Sequence, residues 1–192
     1  MADRTLAAMR IVRGLTLIEL LVVLAIVSVL ASLAAPGLRE LLARHAVNTA
    51  VSAFTADLHF ARAQALKLGH SVTICASANG TACDAQRGSW HRGWIVFPAA
   101  GDTGSTAATT IGAGGILRVQ GALAGLAGLE SPGGADSTPR FIRFNGRGVV
   151  NTGAGGWRAS AGTGAGAVQR LLCVSLQGRV TVRPPGEQAC PA

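Results

Sequence analysis

One carboxylate, Glu19, interrupts the 21 residues from Leu15 to Ala35, whose only other polar side chains are Thr16, Ser28 and Ser32. At about 1.5 Å per residue such a helix spans about 31 Å, against a hydrocarbon thickness of about 30 Å. An ionised carboxylate inside hydrocarbon is costly, so it normally has a partner or a task; an ammonium group is the simplest partner. A second group with chemistry lies at the other end. From Thr138 onward there are seven arginines against Glu187 alone. If residues 179–183 form a strand, Arg179, Thr181 and Arg183 share one face. Such an array suits a polyanion, and Arg143, Arg147, Arg170, Arg179 and Arg183 are the candidate DNA contacts. The competing reading is a solvated sheet face.

Other chemistries fail on residue type or spacing. The four histidines are dispersed and no Cys-x-x-Cys occurs, so no metal site is expected. The lone lysine, Lys67, sits in a helical pattern rather than a glycine-rich loop, which excludes a P-loop. There is no Gly-x-Ser-x-Gly turn. Glu40 and Asp57 are read as helix surface charge. The expectation is therefore a chain with no catalytic residues and no cofactor. Cys75, Cys83, Cys173 and Cys190 allow three disulfide pairings. Closure of hairpin-like segments favours Cys75 with Cys83 and Cys173 with Cys190.

These groups need elements to hold them. Arg4, Arg10 and Arg13 precede the apolar run, which keeps that end cytoplasmic and sends the remainder across the membrane. A secretory signal peptide is the rival reading, but its apolar core is typically about 7 to 15 residues. Past Pro36, Val47, Val51, Phe54, Leu58, Ala61, Ala65 and Leu68 recur at helical spacing, with Arg44, Asp57, Arg62 and Lys67 assigned to the opposite face and Gly69 as the stop. Strand patterns then follow at residues 71–76, 94–97, 115–119, 140–144, 171–175 and 179–182. The glycine-rich joins 121–137 and 152–167 read as mobile loops. Net charge is +8, and nearly all of the excess lies beyond Pro36.

Arg13-Gly14-Leu15-Thr16-Leu17-Ile18-Glu19 resembles the processing site of type IV pilins and type II secretion pseudopilins. The resemblance implies cleavage by a prepilin peptidase between Gly14 and Leu15, N-methylation of the new terminus, and a docking role for Glu19. Leu15 replaces the more usual phenylalanine. Residues 61–97, with Phe144-Asn145-Gly146-Arg147-Gly148 and Gly178-Arg179-Val180, resemble the FimT and GspH group of minor pilins and pseudopilins. Some FimT-like proteins take up DNA through a Gly-Arg-x-Arg signature; here Gly178-Arg179-Val180-Thr181 lacks the second arginine, and Arg183 is an imperfect substitute.

The expected fold is α+β and pilin-like: a long N-terminal helix, half membrane and half amphipathic, packed on an antiparallel β-sheet head with glycine-rich loops. Its parts are a leader (1–14), a membrane or filament-core helix (15–35), an amphipathic half (36–69) and a β-rich periplasmic head (70–192). The expected function is a minor (pseudo)pilin subunit of a secretion pseudopilus or type IV pilus, with DNA uptake as the alternative. Implied partners are prepilin peptidase, other pilins or pseudopilins and the inner membrane, which the chain crosses once, with DNA on the alternative reading.

Overall fold

The computed structural model describes residues 16–101, 109–162 and 167–191, with only the backbone of 34–36. Helix α1 is Leu17–Leu68, and strands β1 to β9 are Val72–Ala76, Trp94–Pro98, Arg118–Gln120, Gly128–Glu130, Phe141–Phe144, Val150–Thr152, Gly155–Ala161, Val168–Val174 and Val180–Val182. The chain forms two compact units, divided between Arg39 and Glu40.

In the first unit every described side chain from Thr16 to Leu33 is exposed. Among the described residues no single helix is long and apolar enough to cross a membrane. Leu17–Leu33 and Gly37–Leu68 meet that requirement only as a pair, by length and composition.

In the second unit, residues 40–68 of α1 pack with the strands around one core. Ala46, Val47, Ala50, Val51, Phe54, Leu58, Ala61 and Ala65 are all buried. The helix ends at Leu68, where Gly69 adopts φ +72° and its N–H donates to the Ala65 carbonyl at 3.0 Å. Leu68, counted in the apolar stripe from its spacing, is 41% exposed because it lies in this last turn. Two antiparallel sheets complete the unit, ordered β3-β2-β1-β5-β6 and β4-β7-β8-β9. Val72, Ile74, Trp94, Val96, Ile142 and Phe144 from the first meet Trp157, Ala159, Leu172 and Val174 from the second in the helix-facing core. All three tryptophans gather there: Trp90, Trp94 and Trp157 lie 5.5, 5.2 and 5.3 Å from the Phe54 ring.

The outer face of the five-stranded sheet is covered as well. Cys75, Ile95 and Phe97 form a second small core with Cys83, Ile111, Ile116 and Phe141. This explains why β1 and β2 are buried at every residue instead of alternating.

Three sequence expectations need correction. Strand β3 begins at Arg118, so Gly115, Ile116 and Leu117 belong to the covering segment. Segments 121–137 and 152–167, read as loops, contain β4 and β7. In β7, Trp157, Ala159 and Ala161 alternate inward in a strict two-residue period. Asp57 does not lie on an exposed face. It is buried beside the apolar stripe, three residues after Phe54 and four before Ala61.

Candidate assembly site and arginine face

Thr16 and Glu19 open α1 as a reciprocal cap. The Thr16 N–H and hydroxyl donate to Glu19 Oε2 at 2.8 and 2.9 Å, and the Glu19 N–H donates to Thr16 Oγ1 at 3.3 Å. This is a capping box, in which two otherwise orphaned donors of the first turn are satisfied. Further along, the Ser28 and Ser32 hydroxyls donate to the carbonyls of Ala25 and Val29 at 2.8 and 2.7 Å. The hydroxyls of this segment are therefore occupied within the helix, and apart from the Glu19 carboxylate the outward surface of Leu17–Leu33 is hydrocarbon. Gly14 and Leu15, the expected processing residues, lie outside the described residues.

The cysteines form two bridges, Cys75–Cys83 and Cys173–Cys190, with Cα separations of 5.6 and 5.7 Å. The first closes the loop in which Asn79 Oδ1 accepts from the Thr81 and Ala82 N–H groups. The second ties the C-terminal tail to β8.

The five candidate arginines are not one continuous face. Arg143 is only 6% exposed. It sits opposite Thr73 on β5, on the covered side of the five-stranded sheet, with its NH1 3.5 Å from the Gly101 carbonyl. The expectation that it meets DNA is corrected on that ground. Arg170 donates to the Arg183 carbonyl at 3.2 Å, and Arg183 pairs with Glu187 at 2.5 Å. Arg179, Thr181 and Arg183 do line one shallow hollow beside Cys173–Cys190. Arg147 and Arg179 are exposed, and no carboxylate among the described residues pairs with either.

The family profile described as "Type II transport protein GspH" matches residues 50–178, two thirds of the chain. The chain belongs to the GspH family. A second profile, "Prokaryotic N-terminal methylation motif", matches residues 9–35, the stretch that contains Gly14, Leu15 and the Thr16–Glu19 cap. Among solved structures, this GspH-family chain superposes on the Pseudomonas aeruginosa type IV minor pilin FimU with a TM-score of 0.52 and 19% identity, covering 77% of this chain and 97% of that one. A second crystal form of FimU gives a TM-score of 0.49 at 20% identity, over 75% and 99% of the two chains. The first of these shows a shared fold, the α+β pilin arrangement. No curated protein is a significant sequence match.

Two charged residues of the head have roles that the sequence reading did not assign. Asp57 accepts from Trp94 Nε1 at 2.8 Å and pairs with Arg118 NH1 at 2.6 Å, while the Arg118 guanidinium lies 4.1 Å from the Phe60 ring centre. This fastens β2 and β3 to the helix. Arg62 donates from Nε to the Gly148 carbonyl at 3.1 Å. It thereby fastens the turn between β5 and β6. The signal for Asp57 was its place in the row Ala50, Phe54, Asp57, Ala61; for Arg62 the sequence held none, because its partner is a backbone carbonyl 86 residues away.

Proposed function

We propose that this chain is a minor pilin or pseudopilin subunit, cut by a prepilin peptidase between Gly14 and Leu15, methylated at Leu15, and built into a periplasm-spanning filament through its apolar helix. Before assembly it is held in the inner membrane by one span, with residues 70–192 in the periplasm. The observation that carries this reading is the helix surface from Leu17 to Leu33: every described side chain is exposed, Glu19 and the two serines are hydrogen-bonded within the helix, and the rest is hydrocarbon. Such a cylinder is stable in lipid or among other helices, so it can move from one to the other. The role of the chain is assembly, and no residue is assigned to catalysis.

In this account Glu19 receives the amine of a neighbouring subunit's processed terminus. A carboxylate accepts several hydrogen bonds, so the cap from Thr16 and an incoming ammonium are compatible. The test is Glu19→Ala beside Glu19→Gln in the native host, with processing and filament incorporation scored separately. Both variants should be processed and remain membrane-bound, yet be missing from sheared filaments. Normal incorporation of Glu19→Ala would sink the docking role.

DNA uptake is the alternative, and it rests on the exposed Arg147 and Arg179. It would be favoured if full-length protein shifts duplex DNA at moderate salt and Arg147→Gln with Arg179→Gln flattens the salt slope.

A further inference from the structure

The turn joining β5 to β6 and the turn joining β8 to β9 touch each other, and both touch the last turns of α1. Gly148 and Gly178 have φ +74° each, and a methyl on Gly178 would collide with the Gly148 carbonyl oxygen. The Val150 N–H donates to the Leu176 carbonyl at 2.8 Å, joining the turns directly. Arg62 holds them from the helix: its Nε bonds the Gly148 carbonyl, and it lies 3.0 Å from where a Gly178 methyl would sit. Leu66 closes over the same place, 3.2 Å from the position of a methyl on Gly148.

This junction shows both apolar and basic side chains to solvent. Leu66, Val149 and Leu176 are 53%, 39% and 62% exposed, and the touching turns bring their backbones together. Around them stand Arg62, Arg147 and Arg179, and no carboxylate among the described residues pairs with any of the three. An apolar centre with an arginine rim is the composition of a protein–protein contact, where arginine is enriched and lysine is depleted. Charge complementarity sets the partner's chemistry: it must bring carboxylates. Nucleic acid would use the arginines alone, because the patch offers no aromatic ring for a single-stranded base to stack on and its apolar centre offers a phosphate no donor.

We propose that the junction of Leu66, Val149 and Leu176, rimmed by Arg62, Arg147 and Arg179, is a docking surface for an acidic, apolar-centred segment of a neighbouring subunit. This rests on the filament reading above and names the chemistry of one of its contacts. The two glycine turns form a rigid platform, because each is locked by the other and by the helix, so little ordering is left to oppose binding.

The test is photo-crosslinking in the native host with the full chain. A photoreactive phenylalanine is introduced singly at Val149, at Leu176, and at Val27 as a control within the apolar helix. The expected result is a crosslink from Val149 and Leu176 to a subunit peptide containing at least two Asp or Glu residues. Arg147→Glu with Arg179→Glu should reduce its yield about tenfold or more, and Lys in place of one partner carboxylate should restore it. Leu176→Ser should weaken the Val149 crosslink without changing processing. Crosslinks to nucleic acid, to lipid or to a peptide lacking carboxylates would overturn the proposal, as would a yield indifferent to charge reversal. Silence at Val149 and Leu176 with crosslinking at Val27 overturns the docking surface and leaves the filament reading standing. Silence at all three removes both.

Discussion

Replacing Asp57 by alanine should destabilise the head. Asp57 is 4% exposed and holds two donors of unlike exposure. Trp94 is fully buried, so losing the carboxylate leaves its indole N–H unpaired in the core, a cost of about 1 to 3 kcal/mol. The Arg118 side chain is 44% exposed and can return to water, so its pair adds only about 0.5 to 1 kcal/mol after screening. Together Asp57→Ala should lose about 2 to 4 kcal/mol. Arg118→Ala should lose less, about 1 to 2 kcal/mol, because removing that half-exposed side chain lets water reach the carboxylate it leaves behind. Trp94→Phe in the Asp57→Ala background should add less than it does alone, since the orphaned donor is gone. Urea unfolding of the full chain in detergent, followed by tryptophan fluorescence, measures all of these. All three indoles surround Phe54, so the signal belongs to the head. A loss below about 1 kcal/mol for Asp57→Ala, or an Arg118→Ala cost equal to it, would refute the reasoning.

Two further outcomes follow from the same packing. Gly178→Ala meets both a left-handed backbone and the Gly148 carbonyl, so it should cost about 2 kcal/mol or more, whereas Gly186→Ala, at φ +92° with open space around it, should cost only the backbone strain of about 1 kcal/mol; comparable losses in urea unfolding would show that the turns do not touch as described. Loop-closure entropy gives about 2.5 kcal/mol for Cys75–Cys83 and about 3 kcal/mol for Cys173–Cys190. Replacing each pair by serine should reverse that order, because Cys75 is fully buried and its serine hydroxyl would enter the second core at a further cost of about 1 to 3 kcal/mol, while Cys173 is 7% exposed. Denaturant midpoints of the two double variants decide it, and a larger loss for the Cys173–Cys190 pair contradicts the burial argument.

The sequence was most legible where period and composition agreed. Val47 through Ala65 form the buried helix stripe, and the runs at 72–76, 94–97, 141–144 and 180–182 are strands. Strand β7 is hard to read because glycine and alanine are poor strand formers with little side chain to bury, although Trp157, Ala159 and Ala161 alternate cleanly. The capping box is legible as Thr-x-x-Glu, although a carboxylate in an apolar run points equally to a distant partner. Arg143 and Asp57 were misplaced for one reason: a charged residue is assumed exposed, and only the packing of a covering segment or a neighbouring indole reveals otherwise. The meeting of the Gly148 and Gly178 turns is a contact far apart in sequence, with no local trace.

The central claim is that this chain is a processed filament subunit, and the identity of its mature N-terminus tests it most directly. Mass spectrometry of the full chain coexpressed with a prepilin peptidase should find a terminus at N-methylated Leu15. Retention of residues 1–14, or cleavage at the far end of the apolar run as in a secretory signal peptide, would contradict the account.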